Sequence, residues 1–473
     1  MTVRAHLIGI CGTAMATLAA MLRRKGMHVQ GSDADVYPPM SDFLADEGIV
    51  PLEGYRAEHI DGGIDVVVVG NAISRGNPEL EEVLDRKMRY CSMPEAVREH
   101  FLWGARSIVV SGTHGKTTTS ALLSWVLTCA GLDPSALVGG IVRNFGDRGS
   151  SYRLGRGREF VIEGDEYDSA FFDKTAKFLK YLPDIAIVNN VEFDHADIYP
   201  DLDAVTLAFR RLINLVPRRG LVVIGADCPV ARSLRSAARS RVETFAVNSE
   251  ADWHAEDLEH LRASTRFRVL RRGSPFGVFE ASMVGVHNVR NALATIAVAH
   301  EIGVGPEPIA DALQSFTGVR RRLEVVGTSG GVTVYDDFAH HPTAVAETVA
   351  GLRRAYPSDR IWAVFEPRSA SSCRRVFQDQ FAGAFVGADE VLIAPVFRTS
   401  LPPTEQLSVP RLVDDLTRRG QSARSLVSIP DLVETILREH RAGDHVVIMS
   451  NGSFGGLHRR LLQALAHAAF ESQ

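Results

Sequence analysis

Cysteine is scarce in this chain of 473 residues, and what there is does not pair: Cys11, Cys91, Cys129, Cys228 and Cys373 are scattered, odd in number and never at C-x-x-C spacing. That excludes a disulfide framework or a cysteine-type structural zinc site and suits a reducing compartment. A basic excess is missing too. Fifty-two Lys and Arg stand against 57 Asp and Glu, a net charge of −5, where a nucleic-acid partner calls for a basic surface. The pairs Arg23-Arg24 and Arg418-Arg419 read as solvated helix ends. No apolar run approaches the roughly 20 residues of a membrane helix. The opening AHLIGI is strand-like and carries no Ala-x-Ala cleavage pattern, so a cytoplasmic protein touching neither nucleic acid nor membrane is expected. Solenoid repeats and low-complexity tracts are also absent. What remains is a globular composition, 45% hydrophobic and 23% charged, long enough for two to four domains.

Apolar runs alternating with helical patterns predict an α/β protein of three units, residues 1–105, 106–322 and 323–473. The first opens with a strand over Ala5–Ile10, a turn at Gly9 and Gly12, a helix through Ala14–Arg24 and a second strand from His28 that runs into Asp33. An acid about 20 residues after the glycines is a dinucleotide-type arrangement, although the third glycine is lacking. A tight strand-to-helix turn explains the glycines equally well. A buried strand, Asp65–Gly70, then delivers the polar loop from Asn71 to Ser74.

The second unit carries the sharpest signal. A strand, Ser107–Ser111, leads into Gly112-Thr113-His114-Gly115-Lys116-Thr117-Thr118 and a helix through Ser120–Ala130. Strand, glycine loop, Lys-Thr and helix is the order a phosphate-binding loop needs: backbone N–H groups face the anion, Lys116 adds charge, and Thr117 offers a hydroxyl to magnesium. The loop is shorter than the general pattern, with only three positions from Gly112 to Gly115. Two acidic loops leave apolar strands nearby, Glu163-Gly164-Asp165-Glu166 and the stretch from Asn189 and Asn190 to Asp194-His195. Carboxylates beside a phosphate loop can ligate or orient magnesium. Gly285–Asn291 opens an apolar helix whose start either caps that helix or reads a nucleotide; spacing alone does not choose. In the third unit, strands at Val332–Tyr335, Ile361–Phe365, Glu390–Ile393 and His445–Met449 end in loops holding Asp336–Pro342, Glu366–Ser369 and Ser450–Gly456.

Six motifs in this order resemble the Mur ligases, the ATP-driven enzymes that assemble peptidoglycan precursors: GTHGKTTT from Gly112, EGDE from Glu163, VEFDHAD from Val191, GVHNVRNALA from Gly285, RRLE from Arg321 and DDFAHHPT from Asp336. The short phosphate loop is that family's. The resemblance implies a Rossmann-like N-terminal domain for UDP, a P-loop-type central ATPase domain and a Rossmann-like C-terminal domain for the peptide. It implies ATP and Mg2+, with Lys116, Glu163, His195 and Arg322 as catalytic residues and Thr117, Glu163 and His195 at magnesium. The ATP site would comprise the loop from Gly112 to Thr118 with Asn291 on the adenine side, Arg322 at the transferring phosphoryl, and Asp337 and His340 from the third domain. Gly12, Thr13, Asp33 and Ser74 would hold UDP, and Tyr167, Asn190, His287, Arg368 and Asn451 complete the substrate-binding set.

Within the family the chain is similar to the branch that attaches a murein tripeptide, rather than L-alanine, to UDP-N-acetylmuramate. Tyr167 replaces a serine, and Pro367-Arg368-Ser369-Ala370 replaces a Pro-His-Arg-Tyr type of loop where the amine should dock. Departures from the family are Gly164 in place of alanine, the run Ser371–Cys373, and Arg210-Arg211 with no lysine to carbamylate. A monomer or weak homodimer is expected. A folylpolyglutamate-synthetase-like enzyme would begin near the phosphate loop; a nicotinamide oxidoreductase would leave that loop unexplained; an ATP-hydrolysing switch would need no carboxylate acceptor.

Overall fold

The computed structural model describes residues 2–398 and 401–471. Three large sheets succeed one another along the chain, and a small hairpin of Asp168–Ala170 and Asp173–Ala176 stands apart from them. The first is five-stranded and wholly parallel, ordered Leu52–Glu53, His28–Asp33, Arg4–Ile8, Val66–Val69, Tyr90–Ser92. Val66–Val69 is buried along its length because helices cover both faces of such a sheet. The progression of strand order reverses between Arg4–Ile8 and Val66–Val69, so the crevice at their carboxyl ends lies where open α/β sheets bind ligands.

The second sheet has ten strands. At its centre Ile185–Val188, Arg106–Ser111 and Glu159–Glu163 run side by side in parallel. Each is apolar and buried, and each ends in one of the polar loops read from sequence. One flank is an antiparallel meander of Trp253–His260, Thr265–Arg271 and Ser274–Ala281 that sequence analysis did not identify. Its signal was present: Thr265–Arg271 alternates buried and exposed residues at period two, as a sheet with one wet face must.

The third sheet, ordered Glu324–Ser329, Val332–Asp337, His445–Met449, Ile361–Phe365, Glu390–Ile393, Ser422–Ser425, is parallel except for its first strand, which pairs through a hairpin at Gly330-Gly331. Both edge strands, Glu324–Ser329 and Ser422–Ser425, were missed in sequence because they are short or half-exposed and carry little apolar pattern.

The passage from the second to the third sheet is tied down rather than loose. Val319 bridges Val142, the Phe338 amide donates to the Arg321 carbonyl at 2.8 Å, and the Leu323 amide donates to buried Asp337 at 2.6 Å. Arg321 and Leu323 both have positive φ, so the chain turns sharply twice. Farther on, Arg290 of the helix Val286–Glu301 reaches Glu347 of the helix Pro342–Ala355 at 3.0 Å and Asp227 at 2.8 Å.

That junction sets an acid limit. Burial opposes the charge of Glu347, but His287 and Arg290 outweigh it and pull the carboxyl from 4.5 to about 2. The unfolded carboxyl therefore binds its proton first as pH falls, and the stabilisation is present above 4.5 and lost towards 2. Glu347→Gln should show a shallower fall in melting temperature between pH 5 and pH 3 than the parent; an unchanged slope would mean that the pair carries none of it.

Candidate active site

The phosphate loop folds as its residues require. Gly112 and Gly115 have φ of +135° and +80°, a region that glycine enters without the Cβ penalty. At Gly115 a Cβ would also stand 2.4 Å from Asn291 Oδ1 and 2.8 Å from Asn189 Nδ2. The next loop zips against this one. The Thr113 amide donates to the Asn190 carbonyl, the His114 amide to Asn190 Oδ1 at 2.7 Å, and the Glu192 amide to Thr113 Oγ1 at 2.9 Å.

Lys116 begins the helix Lys116–Cys129 and turns its ammonium back over the loop. It donates to the carbonyls of Gly112 and Thr113 and to both oxygens of Glu166, the nearer at 2.8 Å. Burial works against its charge, yet Glu166, Asp165 and Glu163 raise its pKa on balance. Glu166 also accepts from His195 Nε2 at 3.1 Å, and despite burial that bond raises the imidazole's affinity for a proton. The ring of Tyr167 lies 4.1 Å from that of His195.

On the other side Thr117 Oγ1 donates to Glu163 at 2.9 Å and accepts from Arg322 Nη2 at 3.0 Å. The Gly139 amide donates to the second oxygen of Glu163 at 2.6 Å. Burial pushes the Glu163 pKa up in spite of Lys116 nearby. A hydroxyl and a carboxylate at the start of a phosphate-loop helix form a hard oxygen donor set that fits magnesium. Gly164 is closed in by Val109 and Phe178, whose atoms would be 2.7 and 3.2 Å from a Cβ there.

Lys116, Thr117, Glu163, Tyr167, His195 and Arg322 line a cleft of about 1100 Å³ together with Thr118, Asn190, His287, Asn291, Asp337, His340 and Asn451. Several of them also hold the cleft together. Asn291 accepts from Thr119 and donates to Asn288, both at 3.1 Å, so its amide buttresses the loop helix. Asp337 accepts from the amides of Leu323 and Ala339 and from the Thr348 hydroxyl. His340 is hydrogen-bonded to the Phe338 carbonyl, and burial lowers its pKa.

Two groups of expected residues lie elsewhere. Gly12, Thr13, Asp33 and Ser74 gather at the carboxyl edge of the first sheet, where Asp33 accepts from the Cys11 amide at 2.8 Å and closes the turn. Arg368 stacks on the Phe397 ring at 3.6 Å and packs so closely on Gly452 that a Cβ there would meet its Nε at 2.1 Å.

Sequence analysis missed four contributors. Glu166, Asn189 and Asp194 sit inside loops it singled out, but nothing in the spacing said which acid pairs with which base. Ser371 lies in a run noted only as a departure from the family, with nothing local to say what it would touch. Its hydroxyl, 177 positions from Asp194, donates to that carboxylate at 2.5 Å and accepts from the His195 amide at 3.0 Å. The departure at Ser371–Cys373 thus supports the loop that bears His195.

Three family profiles cover most of the chain: the Mur ligase family catalytic domain over residues 4–102, the Mur ligase middle domain over 110–299, and the Mur ligase glutamate ligase domain over 321–452. The chain belongs to the Mur ligase family. It is an ATP-dependent ligase that forms an amide bond. Similar proteins include the UDP-N-acetylmuramate–L-alanyl-γ-D-glutamyl-meso-2,6-diaminoheptandioate ligases of Haemophilus influenzae, 42% identical over 97% of this chain and 98% of that one, and of Escherichia coli, 40% identical over 99% and 100%. Among solved structures, a murein peptide ligase from Psychrobacter arcticus is 37% identical with a TM-score of 0.71, covering 98% of this chain and 99% of that one.

Three substitutions probe this ligase's centre. Lys116→Ala should reduce turnover by orders of magnitude and also lower the melting temperature, because removing one partner of a buried pair costs about 3–5 kcal/mol. Adding Glu166→Gln should restore most of the stability and none of the activity. Recovery of neither, or of both, would contradict the separate roles. Gly115→Ala should fold but bind ATP at least tenfold more weakly in calorimetry, and unchanged affinity would show that Asn291 and Asn189 yield freely.

Proposed function

We propose that this enzyme joins L-alanyl-γ-D-glutamyl-meso-diaminopimelate to UDP-N-acetylmuramate, with cleavage of ATP to ADP and phosphate, as a step in peptidoglycan recycling. The observation that carries this reading is identity of 40–42% over essentially the whole length of two proteins named for that ligase. The domains would be residues 1–105, 106–322 and 323–473, holding UDP, ATP and the peptide respectively.

A free carboxylate resists attack because it is anionic and oxide is a poor leaving group. Phosphorylation replaces that oxide with phosphate, and a neutral amine can then displace it through a tetrahedral intermediate. The work of the protein is positioning and charge neutralisation. Lys116 would neutralise the β/γ-phosphates from the place where it now bonds its own loop, while Glu166 keeps it charged and aimed. Arg322, held near Thr117 and over the Phe338 ring, would meet the transferring phosphoryl. Thr117 and Glu163 would hold one magnesium ion and His195 a second, and the ions would supply neutralisation of phosphate charge when bound. His195 is kept in position by Glu166 and by the Asp194–Ser371 bond. Tyr167, Arg368 and Asn451 would face the peptide, with Arg368 fixed by Phe397 and Gly452 for a carboxylate.

The second reading is an L-alanine ligase. It is favoured by relatives such as the UDP-N-acetylmuramate–L-alanine ligase of Anaeromyxobacter sp., 35% identical over 97% of both chains. Phosphate release from ATP with magnesium and UDP-N-acetylmuramate separates the two. The tripeptide should stimulate release at least a hundredfold over L-alanine and give the amide by mass spectrometry. Stimulation by L-alanine alone would overturn the proposal in favour of the second reading.

A further inference from the structure

One cluster beside the phosphate loop, lining the same cleft, has no individual role in the mechanism proposed above. His114, Glu192 and His341 bring one ligand atom each to within 4.8 Å of one another. His114 comes from the phosphate loop and Glu192 from the loop after Ile185–Val188. His341 caps the helix Pro342–Ala355 of the third sheet's unit. His114 Nε2 is 3.5 Å from Glu192 Oε2, and His341 Nδ1 is 3.7 Å from the same oxygen. In a tetrahedral zinc site with bonds of 2.0–2.2 Å, neighbouring donors stand about 3.3 Å apart. Shifts of a few tenths of an ångström would therefore bring both pairs to ligand spacing.

The donor states also fit. His341 Nε2 is 3.1 Å from the Phe193 carbonyl, which can only accept, so Nε2 carries the proton and the lone pair is on Nδ1, which accepts from the Thr343 amide at 3.3 Å and which a metal would take over from that capping bond. A ring N–H bonded to a carbonyl is the usual outer support of a metal-bound histidine. Burial, with His114 adding to it, lowers the His341 pKa to about 4, so the ring is neutral at pH 7. His114 Nε2 is buried and, among the described residues, has no hydrogen-bond partner. Burial opposes the charge of Glu192, but His114, Thr343 and His341 lower its pKa to about 2, and Thr343 Oγ1 orients its Oε2 with a bond of 2.6 Å.

We propose that His114, Glu192 and His341 form a binding site for a borderline divalent transition metal of the zinc class, separate from the magnesium site, that clamps the phosphate loop to the C-terminal domain. Two imidazoles and one carboxylate select zinc, cobalt or nickel over magnesium, which prefers oxygen donors and sheds water reluctantly. Because two ligands come from the ATP-binding unit and one from the third, occupancy would hold those units in their present relation.

The test uses untagged full-length protein without nucleotide, in a large excess of Mg2+, titrated with Co2+ and Zn2+. Cobalt should bind at one per chain with the visible absorption of a four- or five-coordinate site. Zinc X-ray absorption on the unaltered protein should count two imidazoles. His341→Gln and Glu192→Gln should each weaken binding at least tenfold, and His195→Gln should leave it unchanged. Fewer than two imidazoles in the unaltered protein, binding lost with His195→Gln instead, or no stoichiometric binding in excess Mg2+ would each overturn the proposal. None of these readouts depends on which amine the enzyme takes.

Discussion

A largely enclosed lysine ammonium at the start of the helix that follows a central strand governs the rest of this molecule. Water cannot reach Lys116 freely, so its charge survives only because Glu166 faces it within 2.8 Å and Asp165 and Glu163 stand near. Each carboxylate then needs its own support. Glu166 leans on His195, Glu163 on Thr117 and the Gly139 amide, and Asp165 on Lys177. The network spreads outward until Ser371 of the third unit fastens Asp194 and, through it, the backbone of His195. A loop that must carry both a cation and acids at the carboxyl ends of three adjacent strands can be built only where those strands are parallel neighbours.

The same constraint explains the junction between the second and third units. The two arginines of Arg321-Arg322 divide their work. Arg321 donates to the carbonyls of Ser450 and Gly452, both at 2.6 Å, and anchors the third unit; Arg322 crosses to Thr117. Asp337 accepts the Leu323 amide and fixes the turn that sets the two guanidinium groups on their different courses. Closing motion between these units would therefore act on the phosphate end of the cleft directly, since a residue of the connection itself touches the loop helix. His341, which rests on Phe193 from the third unit, couples the opposite side of the same loop.

Local order was legible wherever chemistry and periodicity coincide in consecutive residues. The α/β class, the strand Ile185–Val188, the phosphate loop and the acidic loops follow from apolar runs, glycines at forced turns and a lysine after the last glycine, all short-range physical requirements. The meander over residues 253–281 was missed although its alternation was readable, and the edge strands because they bury little. Tertiary structure alone decided which acid meets which base. Glu166 rather than Glu163 takes Lys116, Arg322 rather than Arg321 reaches Thr117, and Ser371 supports His195. Such pairings join residues tens to hundreds of positions apart, and within a run of acids or a pair of arginines the partner is selected by direction and burial, which only the packed chain defines.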